Sequence, residues 1–302
     1  MSVVLAAAVV LVVTGWMLQD RRLRTPSDRK ALETSFNVKT SGNLSASTPV
    51  CTSQKFQEQS FQGYVVRICW GDADHGLLEI LKNSRQIYAE NGYRFEVGNI
   101  GSDKNENRLI AMGNDITGNG KPDLVVSGYS GGAHCCTTYY IFEIGEEFRK
   151  IAQIHTGNAM AHFVDTDGDS NLEFVTYDDT FSYWNTGFAS SPMPEVILRF
   201  SNGAYRLASD LMSKPALDFA KLEARARSIR DNGEWYIWNK SDLWGVMLDL
   251  IYSGHADLAY QFFDMAWLPD APGKEEFIKD FRTRLSTSPY WPEIKALNSA
   301  SR

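Results

Sequence analysis

The sequence contains a short acidic segment twice, at Asp115–Asp123 and at Asp165–Glu173, with the copies fifty residues apart. Both copies have Asp at position 1, oxygen-bearing side chains at positions 3 and 5, Gly at position 4 and a carboxylate at position 9. Apolar residues precede each copy, and a strand-like run follows it. Ca²⁺ is bound by about six to eight oxygen atoms, which a tight loop with alternating side chains supplies. The pattern therefore predicts a cation-binding loop that leads into a strand.

The two segments, which we call loop A (Asp115–Asp123) and loop B (Asp165–Glu173), differ in charge. Loop B contains four carboxylates, whose repulsion is costly unless a cation neutralises it. Loop A has two, at its ends, with Thr117 and Asn119 between them. Affinity in such loops follows the number of carboxylates, so loop B is expected to bind Ca²⁺ more tightly. The alternative is an ordinary turn, because Asp, Asn and Gly also favour turns.

Both loops resemble the calcium loops of FG-GAP and VCBS repeats, the units of integrin-type β-propellers. The family pattern is roughly Asp-x-Asp-Gly-Asp-Gly-x-x-Asp followed by a strand, from which loop B departs at Ser170 and Glu173 and loop A at Thr117 and Asn119. The resemblance implies that position 7 binds through its carbonyl and the other ligands through side chains. The implied metal ligands are Asp165, Asp167, Asp169, Asn171 and Glu173 in loop B, and Asp115, Thr117, Asn119, Lys121 and Asp123 in loop A.

Composition limits the range of functions. The chain has 302 residues, which is enough for two domains, and a net charge of −7. A nucleic-acid partner is not expected, because phosphate binding favours a basic surface.

The N-terminus predicts a location. Residues 3–18 form an apolar run that is short for a membrane span, and Arg21, Arg22 and Arg24 follow it. We expect residues 1–18 to be an uncleaved signal-anchor or signal segment and residues 19–49 to be a flexible polar linker. The body of the protein is then expected outside the cytoplasm, in the cell envelope or periplasm, membrane-anchored or secreted. The three arginines conflict with this orientation, since basic residues tend to stay in the cytoplasm.

The chain has four cysteines. Cys51 and Cys69 flank a predicted strand and are expected to form a disulfide, which suits an oxidising compartment. For the adjacent Cys135 and Cys136 three states are open: a vicinal disulfide, two thiols on opposite faces of a strand, or a soft-metal site with His134. The strand interpretation is preferred, because successive strand residues point to opposite faces.

The predicted fold is mainly β and then α. Residues 50–207 are expected to form antiparallel, blade-like sheets that include the calcium loops, and residues 208–302 a small helical domain. The strands are too few for a closed propeller, so a partial, propeller-like arrangement is expected. Short turns such as Ser201-Asn202-Gly203 separate the strands. The predicted strands are 64–68, 77–81, 86–88, 93–97, 124–127, 137–144, 174–177, 181–184 and 196–200, and the predicted helices are 215–231, 242–252, 255–267 and 274–285.

No motif in the sequence places a catalytic group, and acidic pairs such as Asp178-Asp179 are expected to be solvated turn residues. The favoured function is therefore a calcium-binding module of the cell envelope that interacts with a protein or a glycan, with calcium in a structural role. The alternative is an envelope hydrolase whose active site lies between a calcium-braced β region and the helical domain.

Overall fold

The computed structural model describes residue 51 and residues 56–70, 76–98, 110–133, 135–215, 217–231 and 241–300. The predicted N-terminal segment, the linker and His134 lie outside these residues. Among the helices that are described, none has both the length and the apolar character needed to cross a membrane.

Twelve strands form three antiparallel sheets, each made of four consecutive strands in chain order. The mainly-β class and its antiparallel pairing are confirmed, and the described strands close into neither a barrel nor a propeller. The first sheet contains β1 (Phe56–Phe61), β2 (Tyr64–Trp70), β3 (Gly76–Lys82) and β4 (Arg85–Gly92). The middle sheet contains β5 (Arg94–Val97), β6 (Asp123–Tyr129), β7 (Thr137–Ile144) and β8 (Phe148–Gly157). The third sheet contains β9 (His162–Val164), β10 (Glu173–Tyr177), β11 (Glu195–Ser201) and β12 (Ala204–Leu207).

Tight turns set the register of several hairpins. Gln62 and Gly63 join β1 to β2, and both have positive φ angles of 45° and 80°. Asn202 and Gly203, at 51° and 83°, join β11 to β12 as the sequence predicts. A two-residue turn of this kind matches the right-handed twist of the paired strands, which explains the Asn-Gly and Gly residues at these positions.

The part of the middle sheet formed by residues 124–126 and 139–144 is apolar on both faces. Alternate residues Leu124 and Val126 of β6 pack with Tyr140, Phe142 and Ile144 of β7 against the first sheet, in one core cluster. The intervening residues, such as Val125 and Ile141, point to the other face of the sheet. They belong to a second, larger cluster, which also contains residues of the third sheet and of the helices. The three sheets are therefore layers that share two cores, and the middle layer contributes to both.

In the described residues, six α-helices follow the sheets, and four of them correspond to predicted helices. Their amphipathic spacing puts residues such as Leu222, Ala226 and Ile229 into the larger core. The sequence analysis missed the first and last helices. The helices are α1 (Ser209–Met212), α2 (Phe219–Asp231), α3 (Ser241–Tyr252), α4 (Ala256–Ala266), α5 (Lys274–Leu285) and α6 (Trp291–Ala300).

The strand predicted at 181–184 is wrong, because these residues form a turn. Phe181 is buried against Phe281 of α5, with ring centroids 5.2 Å apart, and Trp184 packs edge-on against Trp244 of α3 at 5.1 Å. The aromatic residues therefore fill the core between the third sheet and the helices, and do not form a strand.

Asp178 is also not the solvated turn residue that the sequence suggested. It is 2% exposed, and its Oδ2 accepts hydrogen bonds from the hydroxyls of Tyr252 and Ser288. The Thr180 amide donates to Oδ1 at 2.8 Å. Burial and the Asp178 charge raise the pKa of Tyr252 well above its ordinary value, so the phenol stays protonated and donates. This network ties the end of β10 to α3 and to the segment before α6.

The cysteines form two disulfides. Cys51 and Cys69 are bonded as predicted, with Cα atoms 5.9 Å apart. Cys135 and Cys136 are bonded to each other, so the preferred interpretation of two thiols on a strand is wrong. The reason is local: both residues belong to the loop that precedes β7, where strand alternation does not apply.

Candidate metal centre

The two loops occupy equivalent places in the fold. Loop A ends at Asp123, the first residue of the second strand of the middle sheet, and loop B ends at Glu173, the first residue of the second strand of the third sheet. Positions 4 and 6 have left-handed backbone in both loops: Gly118 and Gly120 in loop A, Gly168 and Ser170 in loop B, with φ between 68° and 81°. The similarity in sequence therefore extends to the backbone.

The hydrogen bonds inside the loops match as well. At position 1, the carboxylate accepts the amide of position 6, at 2.7 Å in loop A (Asp115 and Gly120) and at 3.0 Å in loop B. At position 9, the carboxylate accepts the amide of position 2, at 3.1 Å in loop A and 2.9 Å in loop B. The first and last carboxylates hold each loop closed from inside, which fixes them close to its centre.

Loop B brings three of its four carboxylates together. Asp165, Asp167 and Glu173 each offer an oxygen within 4.8 Å of the others. A calcium ion holds its oxygens at about 2.3–2.6 Å, so oxygens on opposite sides of it lie roughly 5 Å apart, and the donor set fits. Asp169 is not part of this group. Its carboxylate accepts the backbone and side-chain amides of Asn171, at 2.7 and 3.0 Å, and these bonds lower its pKa.

A basic residue that the sequence analysis missed lies beside these carboxylates. Arg199 of β11 donates from Nη2 to Asp167 at 2.6 Å and from Nε to Glu173 at 3.0 Å. A third contact, from Nη1 at 3.0 Å, reaches Asp210 in α1. The hydrogen bond to Glu173 is the main reason that the pKa of Arg199 is raised. The guanidinium therefore neutralises part of the loop B charge, and it bonds two of the three carboxylates that would hold a metal ion.

Loop A is poorer in charge but contains a carboxylate with unused bonding capacity. Asp123 is 1% exposed, and its Oδ2 accepts bonds from the Ile116 amide and from the amide and hydroxyl of Thr117. Its Oδ1 is buried and has no hydrogen-bond partner among the described residues. Burial raises the pKa of Asp123 to about 6, although the Thr117 and Ile116 bonds favour the ionised form. A buried, unpartnered carboxylate oxygen is suited to a bound cation.

The side-chain nitrogens of two predicted loop A residues reach outside the loop. Lys121 Nζ bonds Glu143 of β7 at 2.8 Å, and the Asn119 side-chain amide donates to the same carboxylate at 3.1 Å. Burial alone would raise the pKa of Glu143, but the bonds from Lys121 and Arg149 outweigh it, and the pKa is lowered. The side chains that converge in loop A are therefore Asp115, Thr117 and Asp123, with Thr117 Oγ1 3.4 Å from Asp115 and 2.9 Å from Asp123.

The two loops touch each other, since the side chain of Asn171 packs against Gly118. The loops that precede β6 and β10 therefore lie side by side.

Comparison with known proteins gives no further guidance: no protein-family model, curated protein or solved structure matches the chain.

Proposed function

We propose that the chain is a calcium-binding protein in which Ca²⁺ has a structural role. The observation that carries the proposal is the equivalence of the two loops in backbone, internal hydrogen bonds and position before the second strand of a sheet. An ordinary turn does not need this repetition, nor does it need carboxylates at both ends aimed inward.

The donor atoms favour calcium over other metals. They are carboxylate, hydroxyl and carbonyl oxygens, and loop B collects three carboxylates. Mg²⁺ requires stricter octahedral geometry and keeps several of its waters, whereas Ca²⁺ accepts irregular sets of protein oxygens. In loop B the ion would be held by Asp165, Asp167 and Glu173 with the Asn171 carbonyl, and in loop A by Asp115, Thr117 and Asp123. Bound calcium would neutralise the carboxylates and stiffen the entry to β6 and β10.

The FG-GAP and VCBS resemblance belongs to the same proposal. Each sheet is a meander of four consecutive strands, as in a propeller blade, and the sheets stack through shared cores. We infer a short stack of blade-like sheets with calcium loops on two of them. Such a stack presents its loops and exposed faces to a protein or glycan partner.

The proposed location is the cell envelope or the outside of the cell. The two disulfides support it, because disulfides persist in oxidising compartments and are rare in the cytosol.

Calorimetry tests the proposal. The full chain is titrated with Ca²⁺, and its unfolding is followed in excess calcium and in chelator. Binding to the native state alone adds about 2.7 kcal/mol at a free calcium concentration near 100 times Kd, so the midpoint is expected to rise clearly. Asp165→Asn is expected to remove most of the rise.

The matched control is Asp270→Asn, at an exposed carboxylate outside both loops, which should respond to calcium like the wild type. No heat of binding, together with the same midpoint in calcium and in chelator, would show that the loops are turns.

A further inference from the structure

A regular polar surface outside the loops lies on one face of the middle sheet. Its residues alternate along three neighbouring strands, so their side chains point the same way. The register places them in two rows across the sheet, with Arg94 opposite Tyr129 and Tyr129 opposite Thr137, and with Glu96 opposite Ser127 and Ser127 opposite Tyr139. We call these six residues the open face.

The open face continues the surface that packs against the third sheet. Tyr139 is 4% exposed and contacts Phe174 of β10 edge-on, with centroids 5.2 Å apart. Beyond Tyr139 the covering layer ends, and the remaining side chains of the two rows line a cavity of about 260 Å³. This volume lies just below the usual range for ligand sites, about 300–1,000 Å³, so only a small ligand, or one ring of a larger ligand, fits inside it.

Tyr129 lines the cavity, and it packs against a second tyrosine that is not part of the lining. Tyr129 and Tyr93 are 37% and 39% exposed and pack edge-to-face, with centroids 6.2 Å apart. The Tyr93 ring lies against Gly131, where a Cβ atom would come within 2.7 Å of the ring. The loop that carries Gly131 is closed by hydrogen bonds from Ser130 to Cys136 and from Gly132 to Cys135, both 3.0 Å. The ring positions are therefore held by a braced loop, although the rings themselves are partly open to solvent.

The open face has no net charge. Its two charged residues, Arg94 and Glu96, form an ion pair with each other. The pair adds both donors and acceptors to the hydroxyls of Ser127 and Thr137, without attracting an anion or a cation over a neutral molecule. A ligand that matches this surface has hydroxyl groups that donate and accept, and an apolar face that stacks on tyrosine.

We propose that the open face is a binding site for a neutral saccharide. One face of a pyranose ring carries mainly C–H groups, which pack on an aromatic ring such as Tyr129. Its edge carries adjacent hydroxyls, which can pair with the guanidinium of Arg94 and the carboxylate of Glu96. The site uses neither loop, so it goes beyond calcium binding.

A peptide strand fits this surface less well. Peptides bind sheets by adding to an unpaired edge through main-chain hydrogen bonds. β5 is the edge strand of this sheet, so a peptide can add only along its outer side, whereas the backbones of β6 and β7 are paired with strands on both sides. Recognition on the open face must therefore use side chains.

The test uses saturation-transfer NMR on the full chain, in calcium and in chelator. The neutral probes are glucose, galactose, N-acetylglucosamine, cellobiose, maltose and chitobiose, and the charged probes are glucuronic acid and glucosamine. Each is added at about 10 mM, which is enough to detect a millimolar site. At least one neutral probe is expected to bind, and Tyr129→Ala is expected to weaken it about tenfold through loss of the stacked ring. Glu96→Gln should weaken the same probe.

Tyr183→Ala is the control, because Tyr183 is exposed but lies outside the open face, and it should bind like the wild type. Circular dichroism checks that each variant is folded. The proposal is overturned if no neutral probe binds, if only charged probes bind, or if Tyr129→Ala and Glu96→Gln both leave the affinity unchanged. Because the calcium titration is a separate measurement, either result stands without the other.

Discussion

Asn171 of loop B and Gly118 of loop A are in direct contact. A Cβ atom added to Gly118 would lie 1.8 Å from Asn171 Oδ1. Gly118 also has a φ of 68°, so glycine is needed there for its backbone and for its neighbour. Position 7 of one loop therefore rests on position 4 of the other, and a change in the shape of either loop is passed to its partner.

Gly118→Ala measures this contact. Left-handed backbone costs an alanine about 1–2 kcal/mol, and the clash with Asn171 is expected to add about 1–3 kcal/mol of lost stability. Gly120→Ala is the matched control, since Gly120 has a φ of 81° in the same loop and no atom within 4 Å of its added Cβ. Urea unfolding of both variants gives the difference. Asn171→Ala should recover part of the Gly118→Ala loss in a double-mutant cycle, and equal losses at the two glycines would contradict the loop contact.

Arg199→Met is expected to make the protein depend more strongly on calcium. Without the guanidinium, the carboxylates of Asp167 and Glu173 lose their internal counter-charge. The apo protein should be less stable and the calcium affinity higher, so the gap between the melting temperatures in calcium and in chelator widens.

Arg67→Met is the control for this effect. Arg67 has nearly the same side-chain exposure as Arg199, 28% against 27%, and it also bridges two carboxylates, Glu58 and Glu79, but in the first sheet. This variant should lower the two melting temperatures equally. If the difference between the melting temperatures in calcium and in chelator is the same in Arg199→Met as in the wild type, the guanidinium and the ion do not compete.

Asp123 predicts a pH dependence of the calcium-free protein. Its pKa is about 6 when folded, against an ordinary value of 3.8, so the folded state binds the proton more tightly. The stability that this adds is fully present below 3.8 and is lost as the pH rises through about 6. At about 1.4 kcal/mol per pKa unit, the change is on the order of 3 kcal/mol.

Asp123→Asn is expected to remove this pH dependence of stability, because the amide resembles the protonated carboxyl and does not titrate. Urea unfolding in chelator at several pH values measures this. As the pH rises, the free energy of unfolding of Asp123→Asn should increase relative to that of the wild type, whereas the difference between Asp270→Asn and the wild type should stay constant. A constant difference between Asp123→Asn and the wild type across the range would exclude a raised pKa at this carboxyl.

Tyr252→Phe tests the buried network at Asp178. The substitution removes one of the hydroxyls that donate to Asp178 Oδ2 and leaves a buried carboxylate less well satisfied. A loss of about 1–3 kcal/mol in the free energy of unfolding is expected. Tyr183→Phe, which removes an exposed hydroxyl, should change stability by less than about 0.5 kcal/mol. Equal effects of the two substitutions would show that the network contributes little.

Features encoded by neighbouring residues were predictable from the sequence. The closed shape of both loops follows from Asp and Gly at fixed spacing, and α5 was predicted with its observed bounds, residues 274–285. The helix α6 was not predicted, although its only proline, Pro292, lies in the first turn, where proline is well tolerated.

Features that depend on distant contacts were not predictable in this way. Arg199 lies 26 residues beyond Glu173, and only the pairing of β10 with β11 brings them together. The aromatic turn at 181–184 has strand-like composition, but its partners are in α3 and α5. The strand β8 was missed because two bulges between β7 and β8 interrupt regular pairing.

The two-faced middle sheet has a consequence for how the chain finds its native pairing. In a sheet with one solvent-exposed face, a register shift of one residue is unfavourable because it turns the apolar side chains toward solvent. In the buried parts of β6 and β7, apolar side chains point to both faces of the sheet, so a slip of one residue still buries apolar side chains and the penalty is weak. Loop A supplies the missing alignment, since Asp123 pairs with Asn114 and Gly113, and Ile144 of β7 donates to Pro122. Damage to loop A is therefore expected to show first as mispaired, aggregated protein during refolding.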